Sequence, residues 1–192
     1  MPHSSQATAL MPFDPLHSLT PALIQRARRI RMACFDVDGT LTDGRLYYDH
    51  QGNESKAYFV QDGLGLKLLQ RHGIVAVIIT ARHSASAAKR GADLKIETHT
   101  GVRDKLALLQ QLCQREGIEL DQVAFIGDDL PDITCLRAVG LSVAPADAHP
   151  WVAQTVHWQT EAGGGRGAAR QLCDVLLAAG GHLEAVLAGE QP

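Results

Sequence analysis

Short apolar runs alternate along the chain with segments of helical periodicity. The three clearest runs, at residues 32–35, 74–80 and 123–126, are typical of parallel strands buried on both faces of a sheet. Weaker strands are predicted at residues 94–97, 141–143 and 155–157, and helices at residues 21–28, 62–72, 84–90, 102–116, 131–139, 150–154 and 168–179. This alternation predicts an α/β fold, a doubly wound, Rossmann-like parallel sheet.

The segment after the first strand has a different pattern. Residues 45–49 and 56–60 are β-prone and flank a polar stretch with a glycine, which predicts a small β-hairpin at about residues 44–60. The hairpin is either an interface or a flap that folds onto its own domain. It carries a large share of the aromatic residues: Tyr47, Tyr48, Tyr58 and Phe59.

The length of 192 residues is enough for one sizeable hydrophobic core and short for two. We expect a single domain at residues 20–181, a disordered N-terminal extension at residues 1–19 and a C-terminal tail at residues 182–192. The glycine-rich residues 163–167 predict a flexible connection before the last helix.

Charge and cysteine content narrow the class of protein. The net charge of −3 gives no electrostatic reason for binding nucleic acid or a membrane. The four cysteines are widely spaced and form no Cys-x-x-Cys pair, which argues against a zinc site or a disulfide framework and favours a reducing cytoplasm. Neither a signal peptide nor a membrane-spanning run is apparent.

Polar side chains follow the three clearest strands. Asp36 and Asp38 follow the first, Thr80 ends the second, and Asp128 and Asp129 follow the third. We expect these side chains to lie together, because the carboxyl ends of parallel strands meet at one edge of the sheet. Asp36 and Asp38 should point the same way, since residues i and i+2 of a strand do. Such a pair needs a cation or a shared proton, unless it is merely a solvated turn.

Four motifs in this order resemble those of the haloacid dehalogenase superfamily of phosphatases. They are Asp-Val-Asp-Gly-Thr at residues 36–40, Ile-Ile-Thr-Ala-Arg at 78–82, Lys105, and Gly-Asp-Asp-Leu-Pro-Asp at 127–132. Members of this superfamily often insert a cap domain between two of the motifs. Neither interval here has room for one, so the chain resembles the capless subclass, whose sites a neighbouring subunit could cover.

The resemblance implies Mg²⁺-dependent hydrolysis of a phosphate monoester. Its two negative charges must be neutralised, and Mg²⁺ is a hard cation that takes oxygen ligands. Asp36 would attack the phosphorus and form an aspartyl-phosphate, and Asp38 would act as general acid and then as general base. The side chains of Asp36 and Asp128 and the backbone carbonyl of Asp38 would bind the metal.

The remaining motif residues have supporting roles under the same resemblance. Thr80 would donate a hydrogen bond to the phosphoryl group, and Lys105 would bring a positive charge to it. Either Asp129 or Asp132 would orient the metal's waters or Lys105, and the sequence does not choose between them. We assign Thr40 to the turn rather than to orienting Asp38.

A narrower resemblance covers nearly the whole chain after residue 30. Residues 41–44, the hairpin, residues 62–65 and residues 163–170 are similar to those of 3-deoxy-D-manno-octulosonate 8-phosphate phosphatases. This family implies a cytoplasmic homotetramer acting in the lipopolysaccharide biosynthesis of Gram-negative bacteria. Its hairpins would meet at the tetramer centre, and hairpin and tail would help to form neighbouring sites.

The same family implies a set of substrate contacts. An arginine would suit the carboxylate of a sugar acid, and Gln61 departs from the family's basic residue. Arg90 would contact the substrate, and Arg166 would reach the site of a neighbouring subunit. The alternative for both arginines is a charge that is exposed to solvent. The implied contacts are Asp38, Phe59, Val60, Gln61, Asp62, Gly63, Arg82, Arg90 and Lys105.

Two other functions stay open. The substrate is either the eight-carbon sugar phosphate or another acidic one, such as a sialic-acid-type 9-phosphate. A non-catalytic tetramerisation module is the alternative outside enzymes, and the intact Asp36, Asp38, Thr80, Lys105 and Asp128 argue against it.

Overall fold

The computed structural model describes residues 13–189. Its strands are β1 (Met32–Phe35), β2 (Tyr47–Tyr48), β3 (Glu54–Ser55), β4 (Val75–Ile79), β5 (Glu97–His99), β6 (Val123–Ile126), β7 (Leu141–Ala144) and β8 (Trp158–Gln159). Its helices are α1 (Pro21–Arg28), α2 (Val60–Arg71), α3 (Ala85–Leu94), α4 (Lys105–Glu116), α5 (Ile133–Ala138), α6 (Pro150–Ala153), α7 (Ala168–Ala179) and α8 (Leu183–Ala188).

Six of the strands form one sheet in the order β5-β4-β1-β6-β7-β8, and every neighbouring pair is parallel. The strands β2 and β3 form a separate antiparallel hairpin. Residues of β1 alternate between two cores, since Ala33 and Phe35 pack on one face and Met32 and Cys34 on the other. The predicted doubly wound sheet with a small hairpin is confirmed, and the described chain contains no cap domain.

Several predicted bounds of strands and helices are confirmed to the residue. Strands β1 and β6 and helix α7 have the predicted bounds. Thr20 caps α1, because its side chain accepts a hydrogen bond from the backbone N–H of Leu23. No helix within residues 13–189 combines the length and the apolar character that crossing a bilayer requires.

The chain ends lie partly outside the described residues. Of the extension predicted at residues 1–19, residues 1–12 fall outside them, whereas Leu16 and Leu19 pack against the core. In the tail predicted at residues 182–192, α8 occupies Leu183–Ala188.

The hairpin is shorter than predicted, and its second strand comes earlier. The Asp49 carboxylate accepts hydrogen bonds of 2.8 Å from the backbone N–H groups of Gln51 and Asn53. These bonds close the turn early, so that Tyr48 pairs directly with Glu54. The strand predicted at residues 56–60 is therefore wrong, and Val60 already begins α2.

Three predicted helix ends are also wrong. Asp62 lies inside α2, because that helix begins at Val60 after Phe59. Helix α3 continues through the buried Leu94, so strand β5 starts only at Glu97. Helix α4 begins at Lys105 rather than at residue 102, since the Asp104 side chain caps it by accepting from the Ala107 N–H at 2.9 Å.

The glycine-rich residues 163–167, expected to be flexible, pack against the turn after β1. The Gly165 N–H donates to the carbonyl of Thr40 at 2.9 Å. A Cβ at Gly164 would lie 1.9 Å from the carbonyl oxygen of Gly39, so only glycine fits. The segment therefore supports the loop that carries Asp36 and Asp38.

Candidate active site

The carboxyl ends of β1, β4 and β6 open into a cavity of about 160 Å³. It gathers the residues that the four motifs placed at one edge of the sheet. They are Asp36, Asp38, Thr80, Ala81, Arg82, Lys105, Asp128, Asp129, Pro131 and Asp132.

A tight turn over residues Val37–Leu41 brings the motif loops together. Gly39 has a φ of 88°, and a Cβ there would lie 2.0 Å from Oδ2 of Asp128, so this position requires glycine. The buried Thr40 hydroxyl donates to Oδ1 of Asp128 at 3.4 Å. Thr40 thus links the turn to Asp128.

Three carboxylates, those of Asp36, Asp128 and Asp132, have oxygens within 4.8 Å of one another. Burial, and then the charge of Asp132, raises the pKa of Asp36. Burial, and then the charges of Asp36 and Asp132, raises the pKa of Asp128 to about 8. Ionisation of all three carboxyl groups is therefore unfavourable unless a cation binds among them.

Lys105 is the cation that the chain itself supplies to this cluster. Its ammonium is buried and donates to Oδ1 of Asp36 at 2.5 Å and to Oδ1 of Asp132 at 2.6 Å. Burial alone would lower the pKa of Lys105, but the charges of Asp36 and Asp132 outweigh it and raise that pKa. Lys105 stays charged and faces the nucleophile candidate.

Asp132, rather than Asp129, orients Lys105. Oδ2 of Asp132 accepts from the backbone N–H groups of Asp128 at 3.2 Å and Asp129 at 3.4 Å, which fixes its carboxylate. The Asp129 side chain is exposed and caps the following turn by accepting from the Leu130 N–H at 2.8 Å.

The cluster fits a hard divalent cation. Its donors are carboxylate oxygens only, the ligand type that Mg²⁺ takes. Because Lys105 and two backbone N–H groups already occupy both oxygens of Asp132, Asp36 and Asp128 are the better ligands. These are the two side-chain ligands predicted from the sequence.

Asp38 is not part of the carboxylate cluster, although it lines the same cavity. Strand β1 ends at Phe35, so the alternation expected for Asp36 and Asp38 does not extend through the turn. Oδ1 of Asp38 accepts from the ammonium of Lys56, and Oδ2 is buried without a hydrogen-bond partner among the described residues. Asp36 and Asp38 therefore face one cavity but have different partners, Lys105 and Lys56.

Lys56 and Glu54 are not among the residues predicted from the sequence. Their i, i+2 spacing at the end of the hairpin was the only clue, since it puts an acid and a base on one side of an extended segment. Arg82 joins them, because its guanidinium pairs with Glu54 and its Nε lies 3.8 Å from Oδ2 of Asp38.

The other predicted substrate contacts lie outside this cavity. Val60 is 77% exposed and Gln61 is exposed as well. Arg166 lines a separate open depression. A separate, smaller pocket is lined in part by Phe59, Asp62, Gly63 and Arg90.

Asp62 has a structural contact at the start of α7. Its Oδ1 accepts from the backbone N–H of Arg170 at 2.8 Å, and its Oδ2 has no hydrogen-bond partner among the described residues. Burial raises the pKa of Asp62 to about 6, against the hydrogen bonds from Arg170 and Gly167 that lower it. Asp62 thus caps a helix 108 residues away in the chain.

We expect the Asp62→Asn variant to lose part of the pH dependence of stability. Because the folded pKa of Asp62 lies above its unfolded value, the folded state binds the proton more tightly. Its contribution is therefore fully present below about pH 4 and is lost as the pH rises through about 6. Urea denaturation at pH 4.5 and 7.5 should show a wild-type loss about 2 kcal/mol larger than that of the variant. Equal losses in both proteins would contradict this role.

Comparison with known proteins identifies the family of the chain. The sequence profile of the haloacid dehalogenase-like hydrolases matches residues 96–172. The KdsC phosphatase of Yersinia pestis, named a 3-deoxy-D-manno-octulosonate 8-phosphate phosphatase, is 43% identical over 84% of this chain and 87% of its own.

Two solved structures share the fold closely. A hypothetical protein from Xanthomonas campestris has a TM-score of 0.92 at 59% identity, covering 93% of this chain and 98% of its own. The 3-deoxy-D-manno-octulosonate 8-phosphate phosphatase of Moraxella catarrhalis, solved with magnesium, phosphate and KDO, has a TM-score of 0.84 at 39% identity, covering 87% and 97%. The chain therefore belongs to the haloacid dehalogenase-like hydrolases and, within them, to the family of its KdsC relatives.

Proposed function

We propose that this protein is a Mg²⁺-dependent phosphatase that hydrolyses 3-deoxy-D-manno-octulosonate 8-phosphate to the free sugar acid and phosphate, in lipopolysaccharide biosynthesis. The observation that carries the proposal is the pairing of Asp36 with the buried Lys105 at the floor of the cavity. This pair places an attacking oxygen beside a fixed positive charge. The KdsC relatives, and the magnesium, phosphate and KDO bound by the Moraxella protein, support the choice of ligands.

The metal would be held by the Asp36 and Asp128 side chains together with the backbone carbonyl of Asp38. When bound, it supplies the positive charge that lets the anionic Asp36 approach an anionic phosphate. Lys105 adds a second positive charge, and Asp132 holds Lys105 in place. The buried Thr80 donates its hydroxyl to a phosphoryl oxygen at the cavity wall.

The reaction has two steps with one acid–base residue. In the first, an Asp36 oxygen bonds to phosphorus while the bond to the sugar oxygen breaks, and Asp38 gives that oxygen a proton. In the second, Asp38 takes a proton from water as the water attacks the aspartyl-phosphate, which frees Asp36. Of the sugar contacts, we place Arg82 nearest the chemistry because it lines the cavity. Phe59, Asp62, Gly63 and Arg90 would contact the sugar from the smaller pocket that they line, and Val60 and Gln61 from the exposed start of α2.

Phosphate release across a panel of sugar phosphates tests this function. We expect a kcat/KM for 3-deoxy-D-manno-octulosonate 8-phosphate at least tenfold above that for a sialic-acid-type 9-phosphate. EDTA should abolish the activity and added Mg²⁺ should restore it. A preference for the nine-carbon substrate would show that the substrate is the sialic-acid-type phosphate. Turnover of neither substrate would favour the non-catalytic tetramerisation module.

We also propose a cytoplasmic homotetramer in which the hairpin contacts a neighbouring subunit. Leu46 and Tyr47 are 40% and 46% exposed, and the described cysteines are all free and buried. We expect a Leu46→Arg/Tyr47→Arg double variant to form smaller particles than the wild type in light scattering. The control Leu187→Arg, at a 77% exposed apolar residue of α8, should leave the mass unchanged. A monomeric wild type would contradict the assembly.

A further inference from the structure

A network of four charged side chains joins the hairpin to the active-site cavity. Lys56 pairs with Asp38 and with Glu54, and Arg82 pairs with Glu54 and lies near Asp38. Two acids and two bases thus share four contacts, at the carboxyl ends of β1 and β4 and at the end of β3. Asp38 is its only member with a place in the proposed chemistry as acid and base.

Lys56 is the member with no access to water. Its side chain is 0% exposed, whereas that of Arg82 is 44% exposed. An ammonium in such a position is costly unless acids pair with it, and Asp38 and Glu54 are the only acids within ion-pair distance among the described residues. The Glu54 oxygen lies 3.3 Å from the ammonium, and the Asp38 contact is the shorter of the two.

The two oxygens of Asp38 have different surroundings. Lys56 binds Oδ1, whereas Oδ2 is buried and accepts no hydrogen bond from residues 13–189. A carboxylate that is fixed through one oxygen cannot rotate freely about its Cβ–Cγ bond. The other oxygen, Oδ2, which has only the longer contact of 3.8 Å with Arg82 Nε, is then held in one direction inside the cavity that also contains Asp36 and Thr80.

We propose that Lys56 is a positioning residue, which holds Oδ1 of Asp38 so that Oδ2 is presented to the leaving oxygen and then to water. The proposal rests on the proposed function, because it assigns the acid–base steps to Asp38. A carboxylate displaced by about 1 Å loses much of its effect on rate, since proton transfer needs hydrogen-bond distance. The alternative is a structural tether that keeps the hairpin close to the sheet.

The test uses two leaving groups and a comparison of burst with steady-state rates. With p-nitrophenyl phosphate, nitrophenolate leaves without a proton, so the first step does not need Asp38, whereas the attack of water does. In Lys56→Met we expect the burst of nitrophenolate to keep its rate within about threefold. The steady-state kcat should fall by on the order of 10²-fold. The leaving alcohol of the sugar phosphate needs the proton, so with this substrate the kcat of Lys56→Met should also fall by on the order of 10²-fold. Its KM should stay within about twofold of the wild-type KM, and release of the sugar acid should show no burst.

Two further variants separate positioning from tethering. Lys56→Arg, which keeps a charged donor, should recover at least a tenth of the wild-type kcat. Glu54→Gln weakens the hairpin contact but leaves Lys56 on Asp38, so its steady-state kcat should exceed that of Lys56→Met at least tenfold. If Lys56→Met does not fold, Lys56→Gln takes its place in the same assays.

Other results would overturn the proposal. An equal loss in Glu54→Gln and Lys56→Met would show a tether, as would a burst slowed as much as the steady state. An unchanged kcat in Lys56→Met would remove any role. If the wild type turns over p-nitrophenyl phosphate but not the sugar phosphate, the proposed substrate fails while the burst comparison still decides the role of Lys56.

Discussion

Asp36→Asn should reduce phosphate release by on the order of 10⁴-fold or more, while the protein stays folded and assembled. Asparagine has nearly the same shape as aspartate but cannot attack phosphorus as an anion. The fold should tolerate the change, because Asp36 is one of three crowded acids and burial already disfavours its charge. Lys105 keeps its second partner, Asp132, at 2.6 Å.

Steady-state phosphate release with the sugar phosphate measures the loss, and circular dichroism with light scattering checks fold and mass. Asp129→Asn is the matched control, since it neutralises an exposed acid at the same cavity whose contact is a local turn. We expect that variant to retain at least a tenth of wild-type activity. Turnover in Asp36→Asn within tenfold of the wild type would contradict the covalent mechanism.

The sequence was sufficient where neighbouring residues decide the structure. The apolar runs predicted the bounds of β1 and β6 to the residue, because a strand that is buried on both faces ends where polar residues begin. The meeting of Asp36, Thr80 and Asp128 followed from topology, since parallel strands bring their carboxyl ends to one edge.

The failures arise where a side chain finds its partner far along the chain. Asp62 resembles a cap for its own helix, yet its partner is the N–H of Arg170. Asp38 likewise accepts from Lys56, which directly follows the second hairpin strand, the one that was placed wrongly. Local propensity carries no information about such contacts, because they form only when separate elements pack.

The choice between Asp129 and Asp132 is a third case of the same kind. Both are acids in one motif, and only the packing of α4 against the end of β6 brings Lys105 within reach of one of them. Once Lys105 is in place, the stability and the chemistry of the site depend on the same three charges.

Replacing Lys105 with methionine should therefore lower the free energy of unfolding by about 3–5 kcal/mol. Methionine has a similar length and fills the space, but it leaves the buried Asp36 and Asp132 facing each other without a cation. We expect kcat to fall by on the order of 10²–10³-fold as well, since the charge beside the phosphoryl group is lost. Urea denaturation in EDTA measures the first effect, and phosphate release with saturating Mg²⁺ measures the second.

A double variant shows whether charge or packing causes the loss of stability. Asp132→Asn in the Lys105→Met background removes one of the two facing charges and keeps an oxygen for the backbone N–H groups of Asp128 and Asp129. We expect it to recover at least about 1 kcal/mol, an interaction that the double-mutant cycle reports directly. Activity should stay low, because neither change returns a cation to the phosphoryl group. Recovery of activity without recovery of stability would mean that Lys105 acts on Asp132 alone and not on the reacting phosphate.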